Sequence, residues 1–107
     1  MDLLYKNTSA FFKALAHPTR VKILNFLISQ GEICVCHIYE ALELEQSNVS
    51  QHLKILRDNG ILSTRKEGLK VHYSIKEKGI IEIINLTNNI ITAQVNDQIK
   101  LIEQSYK

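Results

Sequence analysis

The hydrophobic period of this chain switches once and then switches back, and no other feature constrains its fold as much. Up to Asn59 the apolar residues recur at helical spacing. Across "ILSTRKEGLKVHYSI", residues 61–75, they alternate instead. Leu62 and Thr64 precede Glu67-Gly68, and Val71, Tyr73 and Ile75 follow it. A period of two on both sides of a glycine predicts a two-stranded hairpin with "RKEGLK" at its tip. From Gly79 to about Gln104 no alternation persists, so a last helix is expected, with a break near Thr87 to Asn89. Its apolar residues are too many for one face against a small core.

Four helices are expected before the hairpin, because breakers are sparse: one proline and four glycines in the whole chain. Residues 2–15 place Leu4, Phe11, Phe12 and Leu15 on one stripe. Pro18 sits near the first turn of a second helix that His17 or Thr19 can cap. That helix buries Val21, Ile23, Leu24, Leu27 and Ile28 and closes at Gly31. A third runs from about Cys34 to Leu42 with Val35, Ile38 and Leu42 inward. A fourth runs from Ser47, its expected N-cap, to Asn59, with Val49, Leu53 and Leu56 inward and Gly60 at its end. The fold class is therefore mainly α with a β-hairpin (α+β), in the order ααααββα. A short helix, a tight turn, a capped helix and a basic hairpin describe a winged helix-turn-helix, and residues 1–107 are read as one such domain.

The totals narrow the function. At 107 residues, 45% hydrophobic and 22% charged, the chain has the make-up of one globular domain. No apolar run approaches the roughly 20 residues of a membrane span, and the N-terminus shows no signal-peptide pattern. A cytoplasmic location is expected, where two cysteines are read as thiols. The net charge of +2 conceals an asymmetry: residues 46–78 carry +4 and the rest −2. A basic middle third suits a polyanionic partner, although it also suits a solvated face. An enzyme is not expected. The chain has no glycine-rich phosphate loop, no serine-nucleophile motif, no HExxH, and no CxxC of a thiol reductase.

With Val49, Leu53 and Leu56 inward, the fourth helix presents Ser47, Ser50, Gln51 and Lys54 on its opposite side, flanked by Asn48 and Arg57. Amides and hydroxyls there can bond base edges in the major groove, while Lys54 and Arg57 can reach phosphates. Arg65, Lys66 and Lys70 at the hairpin tip are expected at the DNA backbone or minor groove. An ordinary polar helix face, and lysines that protect a sheet edge, are the plainer readings of each feature alone.

Over residues 10–76 the chain resembles the ArsR/SmtB metalloregulatory repressors. The resemblance is carried by "FKALAHPTRVKILNFL", "EICVCHIYEALELEQSNVSQHLKILRDNGIL" and "RKEGLKVHYSI". It implies a homodimer built by the first and last helices. It implies repression through an imperfect palindromic operator in double-stranded DNA, and release when a metal or metalloid binds. "CVC" is similar to the thiolate site of the arsenic-responsive and the cadmium/lead-responsive members, which makes Cys34 and Cys36 the expected metal ligands. The chain also departs from that pattern. Tyr39 stands where arsenic sensors often carry a third cysteine, residues 1–15 contain no cysteine, and residues 79–107 contain no histidine beside Asp97 and Glu103.

Residues i and i+2 of an α-helix point about 200° apart, so chelation by Cys34 and Cys36 is expected to require the helix start to unwind. No permanent cofactor is expected. As(III) or Sb(III) is the first-ranked inducer for two soft thiolates, with His37, Tyr39 or an added thiol as third partner. The alternatives are a redox or reactive-sulfur switch of the same two thiols, and Cd(II), Pb(II) or Zn(II) with borrowed ligands. His17 is read as capping or packing, His52 as packed or phosphate-adjacent, and His72 as facing DNA or the bundle.

Overall fold

The computed structural model describes residues 1–106. Its elements are α1 (Asp2–Leu15), α2 (Pro18–Gln30), β1 (Ile33–Cys34), α3 (Val35–Leu42), α4 (Gln46–Asp58), β2 (Leu62–Glu67), β3 (Lys70–Ile75) and α5 (Lys78–Ser105). The period switch is realised as expected: helices flank an antiparallel hairpin, and the fold is a winged helix-turn-helix. The core gathers Ile23, Leu24 and Leu27 of α2, Ile38 of α3, and Val49, Leu53 and Leu56 of α4. Tyr73 from the hairpin and Ile80 and Ile84 from α5 complete it. No helix among the described residues is long and apolar enough to cross a membrane.

His17 caps α2, as its position predicts: in an extended conformation, its Nδ1 accepts the backbone N–H of Thr19 at 3.1 Å. Gly31 ends that helix at φ 78°, ψ −144°, a backbone region open to little but glycine. The turn between α3 and α4 is made without glycine, since Glu43 itself adopts the left-handed conformation at φ 55°. The backbone N–H of Leu44 then donates to Tyr39 at 3.1 Å and closes the turn. In the hairpin, Glu67 pairs with Lys70 across a two-residue loop, and Gly68 supplies the positive φ, 62°, at its first position.

Four boundaries differ from the sequence reading. A third strand exists: β1 pairs antiparallel with β3, Ile33 opposite Tyr73 and Cys34 opposite His72, giving the sheet order β1-β3-β2. Two residues are too few to show an alternation. In consequence α3 begins at Val35, and Cys34 is its extended N-cap at φ −64°, ψ 140°. Helix α4 starts at Gln46 with Glu45 at the N-cap, so Ser47 lies inside the first turn and is not the cap. Helix α5 runs unbroken through Thr87 to Asn89, where Thr87 Oγ1 donates to the carbonyl of Ile83 at 2.7 Å and so stays within the helical turn.

Candidate nucleic-acid interface and thiol pair

Helix α4 is pinned through Val49, His52, Leu53 and Leu56, all buried. That anchorage leaves Ser47, Asn48, Ser50, Gln51, Lys54 and Arg57 exposed. The polar face expected from the spacing is therefore free, apart from Arg57, which lies 3.3 Å from Asp58 in an exposed pair. His52 is packed, 8% exposed, with its ring centroid 4.4 Å from that of His17. Burial pushes its pKa down, and the nearby His17 and Arg20 push the same way.

On the wing, Lys66 and Lys70 are exposed on either side of a fully exposed Leu69. Arg65 behaves differently. Its Nε and Nη2 donate to Glu32 Oε1 at 3.0 and 2.6 Å, and its Nη1 donates to Glu67 Oε2 at 3.0 Å. Arg65, expected at phosphates, is thus engaged by two carboxylates. The Arg65 hydrogen bond holds the Glu32 carboxyl below its usual range, and the same two carboxylates push the guanidinium pKa up. Glu32 carries no signal in the sequence that would single it out. Its only mark is its place two residues before Cys34.

The two sulfurs converge. Cys34 Sγ and Cys36 Sγ stand 2.9 Å apart, and both cysteines are free thiols. Because Cys34 lies on β1 outside the helix, no unwinding is needed to bring them to one side, which corrects the expectation drawn from helical geometry. Cys34 is buried and Cys36 half-buried. The Cys36 thiol and then the Cys36 backbone N–H hydrogen-bond to Cys34 and hold its pKa below the ordinary thiol value, with Lys70 adding a smaller attraction. Cys36 is pushed up by the same shared proton and by burial. Two adjacent sulfurs fit a thiophilic ion entering between them.

A third protein ligand is not in place. Among the described residues no three His, Cys, Asp or Glu side chains are grouped to hold a metal. Tyr39 packs against the core, and His37 is exposed. His72 lies opposite Cys34, but its side chain leans to Glu67, with Nε2 3.7 Å from Oε2.

A helix with an exposed polar face beside a lysine-tipped wing defines the class: a winged-helix DNA-binding regulator with a thiol pair at the base of its wing. Residues 17–64 match the family model of the arsR-family bacterial regulatory proteins. A helix-turn-helix-type transcriptional regulator of Methanocaldococcus jannaschii is 40% identical over 80% of this chain and 97% of its own. An arsenical resistance operon repressor of Staphylococcus xylosus is 38% identical over 81% of this chain and 82% of its own. A cadmium resistance regulatory protein homologue of Staphylococcus aureus is 40% identical over 68% of this chain and 60% of its own. Among solved structures, a Mycobacterium tuberculosis protein superposes with a TM-score of 0.80 at 34% identity, covering 90% of this chain and 96% of that one. A homodimeric winged helix-turn-helix domain of Mycobacterium bovis gives a TM-score of 0.78 at 27% identity, covering 85% of this chain and 83% of that one. The chain belongs to the ArsR family of helix-turn-helix transcriptional regulators, and it is not an enzyme.

Proposed function

We propose that this protein is a cytoplasmic, homodimeric repressor that leaves its operator when a thiophilic ion, As(III) or Sb(III) first, binds Cys34 and Cys36. The convergence of the two sulfurs at 2.9 Å carries the reading. Two thiolates without a protein third ligand suit a trivalent metalloid that retains an open valence for an added thiol. They suit a four-thiolate cadmium site less well. The arsenical and cadmium resistance relatives support a soft inducer in general. Ser47, Asn48, Ser50, Gln51, Lys54 and Arg57 face the major groove in this reading, and Lys66 and Lys70 the backbone beside it.

A second reading has its own support in the same distance. Sulfurs so close can also be bridged by oxidation. The two electrons and two protons would pass to a polysulfide, which is cleaved to a shorter polysulfide and hydrogen sulfide.

One titration separates the readings. The protein is bound to DNA from its own promoter region and challenged in parallel with arsenite, antimonite, Cd(II), Pb(II), Zn(II) and a polysulfide. Release by arsenite or antimonite, lost in both Cys34→Ser and Cys36→Ser while DNA binding persists, is the expected result. Release by polysulfide alone selects the redox reading. A Cys34→Ser protein still released by arsenite removes Cys34 from the site.

A further inference from the structure

The Glu32–Arg65 ion pair joins residues 33 positions apart in sequence, and it ties the thiol segment to the wing. Glu32 lies two residues before Cys34. In the sheet Cys34 stands opposite His72, and His72 stands opposite Arg65. Directly paired residues project to one face. Cys34, His72 and Arg65 thus form one row across all three strands, and Glu32 closes that row back onto Arg65.

Stability does not explain the pair. Both partners are well exposed, at 51% and 39%, and exposed ion pairs contribute little to folding. Its distinguishing property is location, between the thiols and the wing.

A ligand at the thiols must move one of them. Two sulfurs bound to one ion at about 2.3 Å, with an angle between about 90° and the tetrahedral value, stand roughly 3.3–3.7 Å apart, against 2.9 Å here. Cys36 is held within the first turn of α3, which buries Ile38. Cys34 belongs to a two-residue strand at the edge of the sheet. The edge strand is the softer side, and Glu32 precedes it directly.

We infer that Glu32 is the positioning residue through which the Cys34/Cys36 site acts on the wing: displacement of Cys34 shifts Glu32, and the shift repositions Arg65 and β2. The inference rests on ligand binding at the two thiols. It assigns Arg65 to coupling, with the phosphate contacts left to Lys66 and Lys70.

The test uses the full chain and arsenite as the probe. Arsenite uptake is measured by loss of titratable thiol, and DNA affinity is measured with and without arsenite. In Glu32→Gln, uptake should match the parent while the arsenite-driven loss of DNA affinity shrinks by roughly tenfold, within the range of ordinary coupling between two sites. The charge-swapped double variant, Glu32→Arg with Arg65→Glu, should recover much of that loss. If Glu32 and Arg65 merely brace the wing, DNA affinity falls equally with and without arsenite, and the unchanged ratio overturns the inference. Normal uptake with an unchanged ratio sinks the coupling alone. A parent protein whose thiols take up no arsenite overturns the coupling and the metalloid reading together.

Discussion

At the scale of single residues, His52 shows how the reading helix is tied to the body of the protein. It sits on α4 beside Gln51, yet it is buried against His17, the cap of α2. Neither His52 Nδ1 nor Arg20 Nε has a hydrogen-bond partner, so a proton on His52 would place charge beside charge where solvent is scarce. The folded-state pKa is therefore depressed below the ordinary value of 6.5. As pH falls, the unfolded chain takes up the proton first, which favours unfolding. Stability from this site is complete above about pH 6.5 and is lost as pH drops from there toward the lower folded value. The urea midpoint should accordingly fall between pH 7.5 and 5, and His52→Leu should flatten that fall. An equally steep decline in the variant would remove His52 as its source. That His52 packs was legible in the sequence only as one of two readings, the other being a place beside phosphate. Its contact with His17 was not, because local spacing says nothing about a residue 35 positions away.

At the scale of elements, the proposed function gives α4 and the wing different work, and one pair of variants distinguishes them. Gln51 lies on the exposed face of α4, where an amide can read a base edge. Gln51→Ala should cost about 1–3 kcal/mol on the preferred site and little elsewhere. Lys66 stands on the wing with no carboxylate partner in contact. Lys66→Ala should weaken binding to every sequence alike and lower the slope of log affinity against log salt by about 1. Competition binding at two salt concentrations checks both, and a uniform loss for Gln51→Ala would remove it from base readout. The helices and the hairpin themselves were legible because each spans enough residues for its period to repeat. Strand β1 was not, and its absence changed the chemistry: an i, i+2 pair reads as divergent on a helix and convergent at a strand end. The engagement of Arg65 was equally hidden, since its partner Glu32 reaches it only after the sheet has formed.

At the scale of the whole molecule, the apolar surface is out of proportion to the core. Helix α5 is 28 residues long, and only Ile80 and Ile84 on it are buried. The stripe that these two begin continues through Ile91, Val95 and Ile102 at heptad-like spacing, and all three are exposed, at 50%, 44% and 57%. Leu4 and Phe12 of α1 add further exposed apolar area. Contiguous apolar surface of this kind marks an interface, and a second copy of the same chain would cover α1 and α5 together. Because Ile91 and Val95 are half-exposed in the single protomer, aspartate at either position should cost the fold little and the dimer much. The double variant Ile91→Asp/Val95→Asp should sediment as a monomer at concentrations where the parent is dimeric, with helical circular dichroism retained. Salt gives an independent check, because the two contacts have different physical origins. In the proposed reading DNA binding rests on lysines meeting phosphates and should weaken steeply as salt rises. An interface of isoleucine and valine carries no charge to screen, so the dimer should persist through the same range. Parent dimers that fall apart in step with loss of DNA would place the association elsewhere than on α5.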